Sequence, residues 1–194
     1  MQLTGSLDTG RAQAEAHSRR PGIVRLATYS LDVKVLGIDP GTAACGYGIV
    51  QGNANRLQAL DHGWWQTSPG TRLELRLRTL FEGVSELIVR ERPDAVALEE
   101  SYVGADARIA LSVGQARGAV LVAAALAGIE CFEYAPARVK QATCGHGRAD
   151  KAQIQRMVKA ILRLKEIPTP DHAADALAVA ICHAMASPLE RLAG

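Results

Sequence analysis

Val33-Lys34-Val35-Leu36-Gly37-Ile38-Asp39-Pro40-Gly41 is the stretch on which the fold turns. A largely apolar β-run that stops at an acid and a Pro-Gly turn reads as a strand. It delivers a carboxylate to the point where the chain leaves a sheet. Downstream, residues 45–50 and 57–66 form two more strand patterns, with Gly52-Asn53-Ala54-Asn55 between them as a hairpin signal. Residues 71–92 carry the helical spacing Leu73, Leu77, Leu80, Phe81, Val84, Leu87, Ile88, and Pro93 stops it. Residues 95–98 read as a fourth strand, again ending on acids, Glu99 and Glu100. A long Ala-rich helix over 106–126 and a fifth strand over 129–134 follow. A basic loop then leads to an amphipathic helix over about 150–164 and a last helix over 170–185. Three strands that can pair as a meander, followed by alternating helix and strand, predict an α/β domain. Its core is a mixed five-stranded sheet flanked by helices.

A chain of 194 residues suits a single domain with a proper core. Residues 33–188 hold that domain, 189–194 are a tail, and 1–32, rich in Gly, Ser, Thr, Arg and Ala, read as a mobile extension. The four cysteines (Cys45, Cys131, Cys144, Cys182) show no pairing pattern and read as buried thiols of a reducing compartment, the cytoplasm. Cys144 and His146 on a Gly-rich loop are too few for a zinc site. No apolar run approaches the roughly 20 residues of a membrane span. Arg25 and Asp32 interrupt the apolar stretch that a twin-arginine signal at Arg19-Arg20 would need.

A net charge of +2 does not by itself announce a nucleic-acid partner, but its distribution says more. From Pro136 to Lys165 there are eight Lys and Arg against one acid, Asp150. Arg156, Lys159 and Arg163 fall at i, i+3, i+7, opposite Ile154, Met157, Val158 and Ile161. The spacing predicts an apolar face packed on the sheet and a basic outer face suited to DNA phosphates, or simply solvated. Lys151 opens that helix, where free backbone N–H groups also favour phosphate.

The positions of the acids carry the chemistry. Asp39 ends the first strand, Glu99 the fourth, and Asp175 lies in the first two turns of the last helix. Ligands of α/β sheets sit at such carboxyl-terminal strand edges. Carboxylates that converge repel one another and call for divalent cations with oxygen ligands, Mg²⁺ or Mn²⁺. Two such ions clamp a scissile phosphate. Each acid alone also has an ordinary explanation as a turn or surface residue. Spacing does not separate Glu99 from Glu100, whose side chains point to opposite faces of a strand.

Six motifs in order resemble the RuvC family of Holliday-junction resolvases. They are Leu36-Gly37-Ile38-Asp39-Pro40-Gly41 with Gly46-Tyr47-Gly48, Ala97-Leu98-Glu99, Gly114-Gln115-Ala116-Arg117-Gly118, Val139-Lys140-Gln141, and Ala173-Ala174-Asp175-Ala176-Leu177-Ala178. The resemblance implies a ribonuclease-H-like fold and a homodimer that makes paired nicks in four-way junction DNA. It also implies divalent metal, two ions per site, and the RuvA–RuvB branch-migration complex as partner. Metal-binding carboxylates fall to Asp39, Glu99 (not Glu100) and Asp175, phosphate contacts to Lys140 and Lys151, with Lys151 at the cleavage site. Tyr102 matches an aromatic position that contacts unpaired bases, where stacking is worth roughly 1–3 kcal/mol; packing under a loop explains it equally well. Trp64 and Trp65, on one strand, read as one indole outward and one inward, with no assigned function. Gly114 and Gly118 permit close helix approach, across a dimer interface or onto the chain's own sheet.

The chain departs from the commonest family pattern where many relatives carry Asp three residues before the last acid. Here that residue is His172, with Asp171 beside it. Thr169 reads as N-cap and Pro170 as first helical residue, which gives Asp171 a sufficient role in the first turn, favoured by the helix dipole. His172 has no such account, and imidazole serves both as a ligand for Mn²⁺ and as a proton acceptor. It is therefore expected as the fourth catalytic and metal-binding residue. His183, about 16 Å further along the helix, is too distant. Two rival readings are weaker: an actin-like phosphate loop at Gly37–Thr42 needs a second related domain and another Asp-Gly phosphate motif, for which 194 residues leave no room, and the retained acids argue against a junction-binding module without catalysis.

Overall fold

The computed structural model describes residues 32–100 and 107–186. Its elements are β1 (Val33–Asp39), β2 (Ala44–Asn53), β3 (Arg56–Gln66), α1 (Leu73–Glu91), β4 (Ala95–Glu99) and α2 (Ala107–Leu126), then β5 (Glu130–Tyr134), α3 (Pro136–Cys144), α4 (Lys151–Leu162) and α5 (Asp171–Met185). The sheet order is β3-β2-β1-β4-β5. β1, β2 and β3 pair antiparallel as a meander, while β4 and β5 continue parallel to β1. This is the mixed five-stranded sheet that the element order foretells.

Strand alternation divides the core. Leu36, Ile38, Ile49, Val96 and Leu98 point to one face and pack with α1 and α2. Val35, Val50 and Ala97 point to the other and pack with α3, α4 and α5. Along α5, Ala173, Ala174 and every residue from Ala176 to Ala184 are buried, so this helix is itself core. It reaches the sheet at backbone distance. A Cβ on Gly37 would stand 2.1 Å from the Ala176 carbonyl oxygen, and one on Gly46 would stand 2.0 Å from that of His172. On Gly48 it would meet Leu177. Small residues on both partners therefore let α5 lie flat on β1 and β2.

Several expectations need correction. The basic loop contains a helix, α3: Pro136 opens it at a position where its missing N–H costs nothing, and Gly145 closes it in the left-handed conformation. α4 packs chiefly on α5 and α3, meeting the sheet at β3, because α5 already occupies that face. Its Met157 is exposed. Arg163 is not on the helix but caps its end at φ 54°, whereas Asp150 caps the start through a reciprocal bond with Gln153. Pro170, not Thr169, is the N-cap of α5, and no side chain caps it. Cys45 and Cys182 are buried, but Cys131 and Cys144, on an edge strand and at a helix end, are partly exposed; none of the four forms a disulfide. α2 is, against expectation, long and apolar enough to cross a membrane by length and composition. Its Ala116, Val120, Ala123 and Ala124 side is buried in the core beside α1. Its two glycines do not pack on the sheet, since nothing lies within 4 Å of a Cβ added at either. Trp65 packs beside Tyr47 and Trp64 stays exposed, as alternation requires.

If α5 depends on bare backbone beneath it, Gly37→Ala should overpack the interface at a cost of about 2–3 kcal/mol. Urea denaturation should show the midpoint falling by about 1 M with an unchanged slope. An unmoved midpoint would mean that α5 can shift freely.

Candidate active site

The sheet's parity decides which acids meet. Val35, Gly37 and Asp39 share the α5 face of β1, and Ala97 and Glu99 share that face of β4. The two strands are parallel neighbours in the register Ile38↔Leu98, so their next residues, Asp39 and Glu99, emerge side by side. α5 begins directly above. Because its first turn rests on Gly46, His172 reaches down and its Nδ1 lies 2.6 Å from Asp39 Oδ2. Asp175, one turn on, completes the group. With Nδ1 protonated, the imidazole donates to the Asp39 carboxylate and keeps Nε2 for a proton or a cation.

Electrostatics reports the crowding. Burial, then the charges of Asp39 and Asp175, push the Glu99 carboxyl up to about 7, with Lys140 working the other way. Asp175 is also raised, first by burial and then by Asp39, although Lys151 opposes it. The Lys151 ammonium stands 3.1 Å from Asp171 and 3.4 Å from Asp175. Burial disfavours its charge, but these two carboxylates hold its pKa above the usual lysine value. Asp171 is lowered by its bond to Lys151 and also accepts from Gln155 Nε2 at 2.8 Å. It therefore faces the exposed side of the helix start, whereas His172 faces Asp39.

Three carboxylates and an imidazole with too little positive charge among them form an oxygen-rich donor set that suits Mg²⁺ or Mn²⁺. Among the described residues, no three such donors close into a ready cage as they stand. A cation would draw them together against their repulsion.

Of the residues singled out in the sequence, Asp39, Glu99, His172, Asp175, Lys140 and Lys151 gather here. Arg156 stands exposed beside Cys144 and His146, in a surface cleft of about 250 Å³. Lys159 is half-buried on α4, and Arg163 lies beyond its far end, near Asn55 and Met185. Tyr102 falls outside the described residues. His183 is buried and bonded to the Tyr134 hydroxyl at 2.7 Å, away from the acids. Two residues of the site's frame escaped sequence reasoning, Thr42 and Arg117. Thr42 bonds Ser112 of α2, and Arg117 donates to the Glu99 carbonyl at 3.3 Å. The signals for Arg117 are its place in the Gly114–Gly118 motif and its charge amid the apolar residues that follow Arg108 on α2.

The family model described as Crossover junction endodeoxyribonuclease RuvC matches residues 35–183. A curated relative of that description from Rubrobacter xylanophilus is 51% identical, across 82% of this chain and 89% of its own length. A solved structure of Thermus thermophilus RuvC in complex with Holliday junction substrate superposes with a TM-score of 0.77 at 42% identity. It covers 83% of this chain and 96% of that one. The yeast mitochondrial Holliday junction resolvase Ydc2 shares the fold at 13% identity and a TM-score of 0.55, covering 77% of each chain.

A carboxyl whose folded pKa lies above its unfolded value costs stability as pH rises through that interval. For Glu99 the cost is absent below about 4.5 and complete above about 7. Glu99→Gln should therefore stabilise the metal-free protein at pH 8. Discounted for solvent screening, about 1 kcal/mol corresponds to a melting temperature about 2–4 °C higher. At pH 4.5 the two proteins should melt together. Calorimetry showing destabilisation at pH 8 would contradict the crowding.

Proposed function

The chain belongs to the RuvC family of crossover junction endodeoxyribonucleases, and from that premise we propose that it resolves four-way (Holliday) DNA junctions by paired, metal-dependent phosphodiester hydrolysis in recombination and repair. The observation that carries the reading is the contact of His172 with Asp39, with Glu99 and Asp175 electrostatically coupled around it.

Asp39, Glu99, His172 and Asp175 would hold two Mg²⁺ or Mn²⁺ ions. Bound there, such ions supply a water of lowered pKa and charge compensation at the leaving oxygen. The chain's own groups do the rest. Asp39 keeps the His172 ring in place through Nδ1, which leaves Nε2 to take one of two roles, holding a cation or taking a proton from the attacking water. Lys151 exchanges its carboxylate partners for the scissile phosphate when DNA arrives. Lys140, close enough to Glu99 to affect its charge, meets the same strand. Arg156, Lys159 and Arg163 track the backbone outward along and beyond α4, and Tyr102 stacks on unpaired bases at the junction centre. The junction complex of the Thermus relative supports this substrate.

Cutting two opposed strands of a two-fold junction requires two sites related by a two-fold, hence a homodimer. α2 offers the surface. Leu111, Gly114, Gly118, Val122 and Leu126 recur on one side of the helix, and Leu111, Val122 and Leu126 are 52–75% exposed. A second copy of the chain would cover this stripe. The protein would act in the cytoplasm, with the RuvA–RuvB complex presenting the junction.

Binding should rest on the basic residues and weaken steeply with salt, as counterion release dictates. Asp39→Asn and Asp175→Asn should abolish cleavage of a labelled junction in Mg²⁺ or Mn²⁺ yet retain its binding in gel shift. Folded variants that both lose binding would sink this division of labour.

A second set of variants separates the two residues at the start of α5. His172→Ala should slow cleavage roughly 100-fold or more. His172→Asp should cut with an altered metal preference, and Asp171→Asn only slightly more slowly than wild type. A severe Asp171→Asn defect beside a silent His172→Ala would reverse the assignment.

A further inference from the structure

The two strands that end in catalytic acids are both fastened to one helix, and that helix is α2. Asp39 is followed by a turn whose Thr42 is 5% exposed. The Thr42 hydroxyl is bonded to Ser112 Oγ on α2. On its other side the Thr42 carbonyl accepts from Thr67 Oγ1 at 2.5 Å, and Thr67 Oγ1 in turn accepts from Arg76 Nε at 2.8 Å. Thus the turn after β1 is held between α2 and a chain of bonds reaching α1.

Five residues along α2, Arg117 does the same for β4. Its Nη1 donates to the Glu99 carbonyl, and its Nη2 pairs with Glu133 on neighbouring β5. Its side chain is only 15% exposed. A planar guanidinium can serve both acceptors at once in a fixed fork, whereas an ammonium is a single point charge. The contact is with the backbone of Glu99, so Arg117 does not compete for the carboxylate. It sets where that carboxylate stands.

We propose that Ser112 and Arg117 are positioning residues, through which α2 sets the spacing of Asp39 and Glu99 and so couples metal affinity to the covering of its outer face by a second copy of the chain. The coupling rests on the homodimer reading given above; the positioning does not. Gly118 of the outward stripe is the immediate neighbour of Arg117, and Leu111 the immediate neighbour of Ser112. Both fasteners ride on one unbroken helix, so a shift or rotation of α2 on dimer formation would move them together. Partners hydrogen-bonded to a ligating side chain typically change metal affinity about 10–100-fold when removed; Arg117 acts through the Glu99 backbone and Ser112 through Thr42, so the lower end of that range is expected.

The test uses the full chain. Mn²⁺ binding is read without DNA from the loss of the free-ion paramagnetic resonance signal. Junction affinity is read by gel shift, and the cleavage rate in single turnover on bound junction. Arg117→Ala should weaken Mn²⁺ binding about tenfold or more and slow cleavage comparably, while junction affinity changes less than about threefold. Arg117→Lys should recover part of both, and Ser112→Ala should shift them in the same direction by less. Val122→Glu, on the outer stripe and remote from the acids, should give a monomer by light scattering with weakened Mn²⁺ binding.

Unchanged Mn²⁺ affinity in folded Arg117→Ala overturns the positioning role. So does a uniform loss of melting temperature, junction binding and metal binding that Arg117→Lys fails to relieve. A Val122→Glu monomer with wild-type Mn²⁺ affinity overturns the coupling. A wild-type protein that binds Mn²⁺ in the expected order of variants yet cuts no junction would overturn the functional reading instead and leave the positioning standing.

Discussion

The contact between the backbone of α5 and the backbones of β1 and β2 is the constraint on which the rest of the structure depends. A helix normally stands off a sheet by the length of two side chains. Here Gly37, Gly46 and Gly48 remove one layer, and alanines along α5 thin the other. The helix start is thereby lowered onto the strand edge where Asp39 emerges, and a histidine side chain spans what is left at 2.6 Å. None of the three described carboxylates rides on a long loop. Each sits at a strand end or within the first two turns of a helix, where backbone hydrogen bonds fix it.

That precision has an electrostatic consequence. Bringing Asp39, Glu99 and Asp175 into one half-buried space raises the pKa values of Glu99 and Asp175, and Lys151 offsets only part of the repulsion. The arrangement is tolerable because α5 contributes so much buried apolar surface elsewhere along its length. It would be useful to a cation, which relieves the repulsion by drawing together side chains that already stand at one sheet edge. The same logic explains Asp171. It bonds to Lys151 and Gln155, and so holds the lysine at the rim rather than adding another negative charge inside.

Much of this was legible in the sequence, and the limits are physical. Strand and helix order follow from hydrophobic period, and acids at strand ends announce a site. Choosing Glu99 over Glu100 needs the pairing of β1 with β4, a long-range register that local spacing does not contain; only the family motif supplied it. α3 was missed because its nine residues carry basic and polar side chains that mask the helical period, although Ala135-Pro136 and Gly145 bracket it as a cap and a stop. Thr169 had the chemistry of a cap but Pro170 holds the extended conformation before the helix. The roles of Thr42 and Arg117 depend on which helix lies over which strand end. Both residues lie in motifs, Gly37–Thr42 and Gly114–Gly118, but neither motif encodes that, and only the assembled fold brings them to the acids.

A glycine-lined sheet and a lowered helix would together make one cation site from β1, β4 and α5. Anomalous diffraction from crystals of the protein soaked in Mn²⁺ addresses it most directly. Manganese peaks are expected between Asp39 and Asp175, with Glu99 and His172 among the ligands and Asp171 still bonded to Lys151. Manganese bound instead at Asp171, or at Glu100 with the Asp39 carboxylate unoccupied, would contradict it.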